Sequence, residues 1–303
     1  MRITNANNNT PTLRLLLTKK KLRIKTLIAL LLFWGLAQLN TGCQPFKMTT
    51  KAFDTYYEHS PAQPVRGNYE AEGRNIHYVA AGHDSLPMIL FVHGSPGSWD
   101  AYKAYLKDST LLAQAYLVAV DRPGFGHSGY GQAEPSLARQ AAMLLPLLQM
   151  SRAPQKPILV GHSLGGPLVA RMAMDYPQLV GSVVMIAPSI APELEPATWY
   201  RHLMRLPVVR QLVPKPFIAS NDEILPLKGE LNKMMPLWPN ITAPVTVIQG
   251  TADVLVAPGN AAFARKQLVN TTCELVMLEK VNHFIPWSHY QVVLEVLQGH
   301  LTQ

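Results

Sequence analysis

Apolar residues along this chain fall into short continuous runs, separated by longer stretches in which they recur every three or four positions. The runs are Met88–Val92, Tyr116–Val120, Ile158–Val160, Val183–Ile186, Val245–Ile248 and Leu275–Leu278. Continuous rather than alternating character marks strands buried on both faces. Ser98–Gln114, Ser136–Met150, Leu164–Tyr176, Pro258–Val269 and Trp287–Leu301 carry the helical period, with Pro146 as a kink in the second. Tyr69–Ala81 reads as a hairpin about Gly73-Arg74-Asn75. Strands alternating with helices imply a parallel sheet covered on both faces.

Residues 190–242 break the alternation. They hold eight prolines together with Trp199, Tyr200, Met204, Phe217, Met234, Met235 and Trp238. So long and apolar a connection is expected to be a helical cap lying over the strand ends, with Trp199 and Trp238 in the substrate wall. A peripheral helical insertion is the alternative. Residues 44–65, with Pro45, Pro61 and Pro64, read as an irregular tether. The organisation is then a leader over 1–42, a tether over 43–68, a core over 69–189 and 243–303, and a cap over 190–242.

The leader accounts for most of the charge. The formal net charge is +8, and seven of the 27 Lys and Arg residues precede residue 43, with no Asp or Glu among them. The remainder is close to neutral, so no basic face for nucleic acid is expected. The basic cluster at 19–25 is followed by 11 nonpolar residues, Leu27–Ala37. That is the length of a secretory hydrophobic region and too short for a membrane span. Gly42-Cys43-Gln44 after such a run resembles the lipobox of bacterial lipoproteins, with Asn40 where that pattern usually has Leu. The resemblance implies a lipid on Cys43 and attachment to a membrane of the bacterial envelope. Gln44, rather than Asp, resembles the outer-membrane pattern. Plain secretion and an uncleaved anchor are the alternatives.

Composition excludes other classes. At 48% hydrophobic and 15% charged the chain is not disordered, and two cysteines exclude a disulfide scaffold or a cysteine-rich zinc module. Cys273 reads as a buried thiol. No metal-ligand spacing and no phosphate-binding glycine loop occurs, so no cofactor is expected.

The chemistry lies in Gly161-His162-Ser163-Leu164-Gly165-Gly166, which follows a strand and opens a helix. This is G-x-S-x-G in the context it requires, a sharp turn presenting the Ser163 hydroxyl. A serine hydroxyl needs a base. Of the ten histidines, His283 follows the last strand and precedes the last helix, and Asp253 follows the strand at 245–248. Nucleophile, acid and base therefore come in the order Ser163, Asp253, His283. The oxyanion is assigned to the amides of Leu164 and Ser95, with Gly94 as the fallback; Pro96 has no N–H. His162 and Asp121 are read as structural.

These motifs, with His93-Gly94-Ser95-Pro96-Gly97-Ser98-Trp99 and Asp121-Arg122-Pro123-Gly124-Phe125-Gly126-His127-Ser128, resemble the α/β-hydrolase superfamily in its capped branch. The resemblance covers about residues 69–303. It implies an α/β fold with a mostly parallel, doubly wound sheet and a helical cap after the sixth strand. It also implies a serine hydrolase acting on a small ester or related acyl compound. Dehalogenases and epoxide hydrolases of that branch use aspartate as nucleophile, and Ser163 argues against both. An amide or C–C bond hydrolase of the proline iminopeptidase kind is the alternative. Such a peptidase needs an acidic pocket, for which Glu193, Glu195, Asp222, Glu223 and Glu230 are candidates. A noncatalytic, membrane-tethered binding protein on the same scaffold is the alternative of another class.

Overall fold

The computed structural model describes residues 46–196 and 199–302. Its centre is one eight-stranded sheet: β1 Val65–Ala71, β2 Arg74–Ala81, β3 Met88–Val92, β4 Tyr116–Val120, β5 Ile158–His162, β6 Ser182–Ile186, β7 Val245–Gly250 and β8 Cys273–Leu278. The spatial order is β1-β2-β4-β3-β5-β6-β7-β8. From β4 to β8 neighbours are parallel. The β1–β2 hairpin adds an antiparallel edge, with Tyr78 of β2 opposite Val120 of β4.

The continuous apolar runs are explained by two cores. Along β3, Met88, Leu90 and Val92 pack into one layer and Ile89 and Phe91 into the other, and all five are fully buried. The first layer is filled by helices α3 Leu137–Gln149, α4 Gly165–Asp175 and α7 Gly259–Gln267. The second is filled by α1 Thr50–Tyr57 and α9 Tyr290–Leu301, and by the aromatic residues Trp99, Tyr102 and Tyr105. Registers such as Val92 opposite Gly161 and Ile186 opposite Ile248 bring the carboxyl ends of β3 to β7 to one level. In open parallel sheets that edge is where ligands bind.

Three expectations change. Ser98–Gln114 is not one helix. It forms 3₁₀ turns at Trp99–Tyr102 and Tyr105–Lys107 and a short helix α2, Ser109–Leu112. Buried Trp99, Tyr102 and Tyr105 recur every three residues, the 3₁₀ period, and Asp108 starts α2 by accepting from the amides of Thr110 and Leu111. The final helix is broken at His289 into α8, Ile285–Ser288, and α9. The tether is docked rather than irregular. Thr49 caps α1 by accepting from the Ala52 amide, and Phe53 and Tyr57, four residues apart on one face, pack on Trp99. Strand β1 then begins at Val65, four residues before the expected hairpin.

Between β6 and β7 the chain forms 3₁₀ turns at Pro192–Leu194, Trp199–Arg205 and Met235–Asn240 and helices α5 Pro207–Leu212 and α6 Lys215–Met234. Arg122, at the end of β4, reaches into this segment. Its guanidinium donates to both Glu223 oxygens (2.9 and 2.8 Å), to Gln140 and to the Gly94 carbonyl. A buried bidentate pair of this kind fixes α6 over the β3 loop.

Candidate active site

Ser163 stands between β5 and α4 with φ = 54°, in the left-handed region where a side chain is strained. The turn is held because the Ser163 amide donates to the Ile186 carbonyl and the Ser163 carbonyl accepts from Gly166. Glycine is required at both flanks. A Cβ on Gly161 would lie 2.3 Å from the Gly165 carbonyl oxygen, and one on Gly165 would lie 2.3 Å from that of Val92. The strain therefore comes with close packing of the turn on strand β3.

The candidate base arrives from the far end of the chain. His283 Nδ1 donates to Asp253 Oδ2 at 2.7 Å. Asp253 Oδ1 accepts from the amides of Leu255 and Val256, both at 2.9 Å. Burial alone would raise the Asp253 carboxyl, but the His283 hydrogen bond and those two amides outweigh it and hold the group below its ordinary value. The Asp253 and His283 loops are tied by the Ala252 amide on the Val281 carbonyl. His162 supports His283 from below. Its Nε2–H donates to the His283 carbonyl at 3.0 Å, and burial followed by the nearby His283 pushes its pKa down to about 3, so it stays neutral. His93 is likewise held neutral by burial. Its Nε2 accepts from the Arg122 amide and its Nδ1–H donates to the Gly94 carbonyl.

Ser163, His283, Leu164 and Ser95 line one cavity of about 740 Å³ at the carboxyl ends of the strands. Neither the Leu164 nor the Ser95 amide donates to another group among the described residues. Two free N–H groups beside a strained serine can hold a developing oxyanion. The remaining wall is largely apolar, with Phe217, Ile224 and Leu227 from α6, and Leu255, Val256, Phe284 and Trp287 from the Asp253 and His283 loops. Among the described residues no cluster of His, Cys, Asp and Glu could hold a metal ion.

A family model described as alpha/beta hydrolase fold matches residues 87–226. Human epoxide hydrolase 4 is 29% identical over 143 residues, 43% of this chain and 38% of that one. A pimeloyl-acyl-carrier-protein methyl ester esterase of Vibrio campbellii is 32% identical over 117 residues, 38% of this chain and 41% of that one. The chain thus spans about two fifths of the length of the curated relatives it matches. The structure of a membrane phospholipase A superposes with a TM-score of 0.62 at 18% identity, covering 95% of this chain and 98% of the other. The family match and the mostly parallel sheet support an α/β-hydrolase superfamily member.

Within this fold the structure brings Ser163, Leu164, Ser95 and His283 to one cavity, with Asp253 bonded to His283 behind it. Cys43 and the whole leader lie outside the described residues. Two expected wall residues move away. Trp238 is buried against Phe263 in the core, because the end of the cap folds back onto α7. Trp199 is 74% exposed and outside the cavity lining. The aromatic side chains that do line it are Phe46, Phe217, Phe284 and Trp287. Phe46 has no periodic pattern around it to mark it, and it meets Phe217 edge-on at 5.9 Å.

The cap acids also separate. Glu223 is taken by Arg122, Asp222 by Arg210, and Glu230 by Lys233 and the Leu137 amide. Of the five, Glu195 alone lines the cavity among the described residues. It accepts from Ser189, and burial raises its pKa, opposed by that hydrogen bond.

Proposed function

We propose that this α/β-hydrolase cleaves a carboxylic ester through an acyl-enzyme. The observation that carries the reading is the Asp253–His283 pair opening on the same cavity as strained Ser163 and two undonated amides. Ser163 Oγ attacks the ester carbonyl carbon as His283 Nε2 takes its proton. The amides of Leu164 and Ser95 hold the tetrahedral oxyanion, and the alcohol departs with the proton from His283. Water then attacks the acyl-enzyme by the same route and releases the acid. Asp253 keeps the imidazole in the Nδ1–H tautomer throughout.

Epoxide-hydrolase kinship does not carry over to this chemistry. A carboxylate nucleophile opening an epoxide gives an ester that water can cleave, whereas a serine would give a stable ether. An aminopeptidase-like reading would rest on Glu195 as counter-ion to a substrate ammonium. In the same proposal Cys43 carries the lipid that attaches the chain to a bacterial membrane.

The test is turnover of the purified chain on carboxylic esters, aminoacyl amides and vinylogous diketones. Esters are expected to turn over fastest, and Ser163→Ala to lower their rate by about 10⁴-fold or more. More than about a tenth of wild-type turnover remaining in that variant would remove Ser163 from the mechanism.

A further inference from the structure

The rim of the cavity is apolar where the catalytic loops reach solvent. Val254 and Leu255, next to Asp253, are 91% and 57% exposed, and Phe284 and Trp287, beside His283, are 52% and 51% exposed. The Phe284 and Trp287 rings lie 6.1 Å apart. Single exposed apolar residues are ordinary, but these four stand on two loops bonded to each other, and three of them, Leu255, Phe284 and Trp287, line the cavity. A tryptophan with its neighbours in this setting suits the boundary between water and hydrocarbon.

The entry point of the chain says what covers this patch. Phe46 lines the same cavity, and from Thr49 onward the segment is pinned by the α1 cap, by Phe53 and Tyr57 on Trp99, and by His127 Nε2 on the Met48 carbonyl at 3.1 Å. The free leash is therefore not the 22 residues of 44–65. From Cys43 it is three residues, at most about 11 Å of extended chain. The sequence before it is a basic cluster followed by 11 nonpolar residues. A lipid on Cys43, as proposed above, would be tied to Phe46 by no more than that length.

We propose that the mouth of this cavity docks on a phospholipid bilayer, so that an ester dissolved in the membrane enters the site from it. The choice of substrate rests on the ester reading; the docking itself does not. The loops that carry Asp253 and His283 then also act as the membrane-facing surface, and Phe46 stands at the entrance between the bilayer and Phe217.

The experiment uses the full chain in vesicles of phosphatidylethanolamine and phosphatidylglycerol at about 7:3, prepared with ordinary or brominated acyl chains. Bromine quenches tryptophan only within the hydrocarbon. The emission removed by Trp287→Phe is expected to be quenched by more than half in brominated vesicles. A tryptophan introduced by Asp84→Trp in the Trp287→Phe chain, in the loop before β3 at the opposite edge of the sheet, is expected to be unaffected. Equal emission of Trp287 in the two lipids, or equal quenching at both positions, overturns the docking. In the same vesicles, Val254→Asp should lower hydrolysis of a bilayer-borne ester by about tenfold, the factor for losing one buried apolar side chain, and leave a water-soluble short-chain ester unchanged. An unchanged rate on the bilayer-borne ester overturns entry from the membrane. Quenching of Trp287 without hydrolysis of either ester overturns the ester reading and leaves the docking in place.

Discussion

The described residues hold two buried histidine–aspartate pairs of nearly the same geometry. His283 Nδ1 meets Asp253 at 2.7 Å after β7, and His77 Nδ1 meets Asp121 at 2.8 Å after β4. Each aspartate also accepts two backbone amides: Leu255 and Val256 at one site, Trp99 and His127 at the other. Each histidine has a second histidine ring beside it, at 4.7 and 4.8 Å. The pairs differ in what lies beyond the imidazole. His283 opens on the cavity that holds Ser163, whereas His77 belongs to a β2 backbone that donates to Ser128 and accepts from Asp121, away from that cavity. A charge-relay geometry alone therefore does not define a catalytic pair; its second nitrogen must face a nucleophile.

The aspartates differ again in which oxygen carries which donor, and this separates the effects of asparagine. At Asp253 both backbone amides sit on Oδ1 and the Gln249 side-chain amide donates to Oδ2 at 3.3 Å, so an asparagine in its place can keep the first two and turn its NH₂ toward the ring once the Gln249 amide flips to accept. The ring must then accept at Nδ1, leaving a proton on the nitrogen that should be the base. Asp253→Asn is expected to lower kcat by about 10³–10⁴-fold with KM and unfolding free energy little changed. Steady-state kinetics with chemical denaturation reads both. An unchanged kcat would return Asp253 to the role of a turn residue.

At Asp121 each oxygen accepts a backbone amide, Trp99 on Oδ1 and His127 on Oδ2, with His77 also on Oδ2. No orientation of an asparagine avoids setting an N–H against an N–H. Asp121→Asn should therefore destabilise the fold by about 3 kcal/mol, the cost of a buried donor left unmet. Its kcat, measured on folded protein, should fall less than about tenfold. A loss of kcat as large as that of Asp253→Asn, at unchanged stability, would erase the distinction between the pairs.

The neighbouring histidines sharpen the contrast. His162 is neutral in the fold, with a pKa of about 3 against an ordinary 6.5. Below pH 6.5 the unfolded chain takes up a proton that the folded chain refuses. The stability it contributes is thus fully present above pH 6.5 and is lost as pH falls toward the folded value. In His162→Gln the fall of unfolding free energy between pH 6 and 4.5 should be shallower by about 1.4 kcal/mol per pH unit. Denaturant titrations at several pH values give that slope, and a slope equal to wild type would mean that His162 is charged in the fold. His127, half-buried and held by the Met48 carbonyl, should matter least. His127→Gln is expected to cost less than about 1 kcal/mol and to leave kcat as it is; a drop in kcat would connect the second pair to the site.

Much of this is legible in the chain. The strand runs mark β3 to β7 because burial on both faces leaves little room for polar residues, and the G-x-S-x-G turn is legible because Gly161 has a local steric duty against Gly165. The short helices over 99–112 read as one because three-residue and four-residue spacings of aromatic residues look alike until an acceptor such as Asp121 fixes the turn. The docking of α1 is hidden because the helix buries just two of its side chains, Phe53 and Tyr57, and their partner Trp99 lies more than 40 positions away.

The sequence by itself determined the alternation of strands and helices along the chain and the tight serine turn, and it singled out Asp253 and His283 as candidate partners after later strands, since each is written in local spacing. Only the tertiary structure decided that Asp253 and His283 meet beside the cavity that Ser163 lines, which aromatic residues wall that cavity, and that Phe46 is among them. The physical reason is that these are distances between segments far apart in the chain. Trp238 and Phe46 show it plainly: one looks like a wall residue and packs on Phe263, the other looks like part of a linker and closes the pocket beside Phe217.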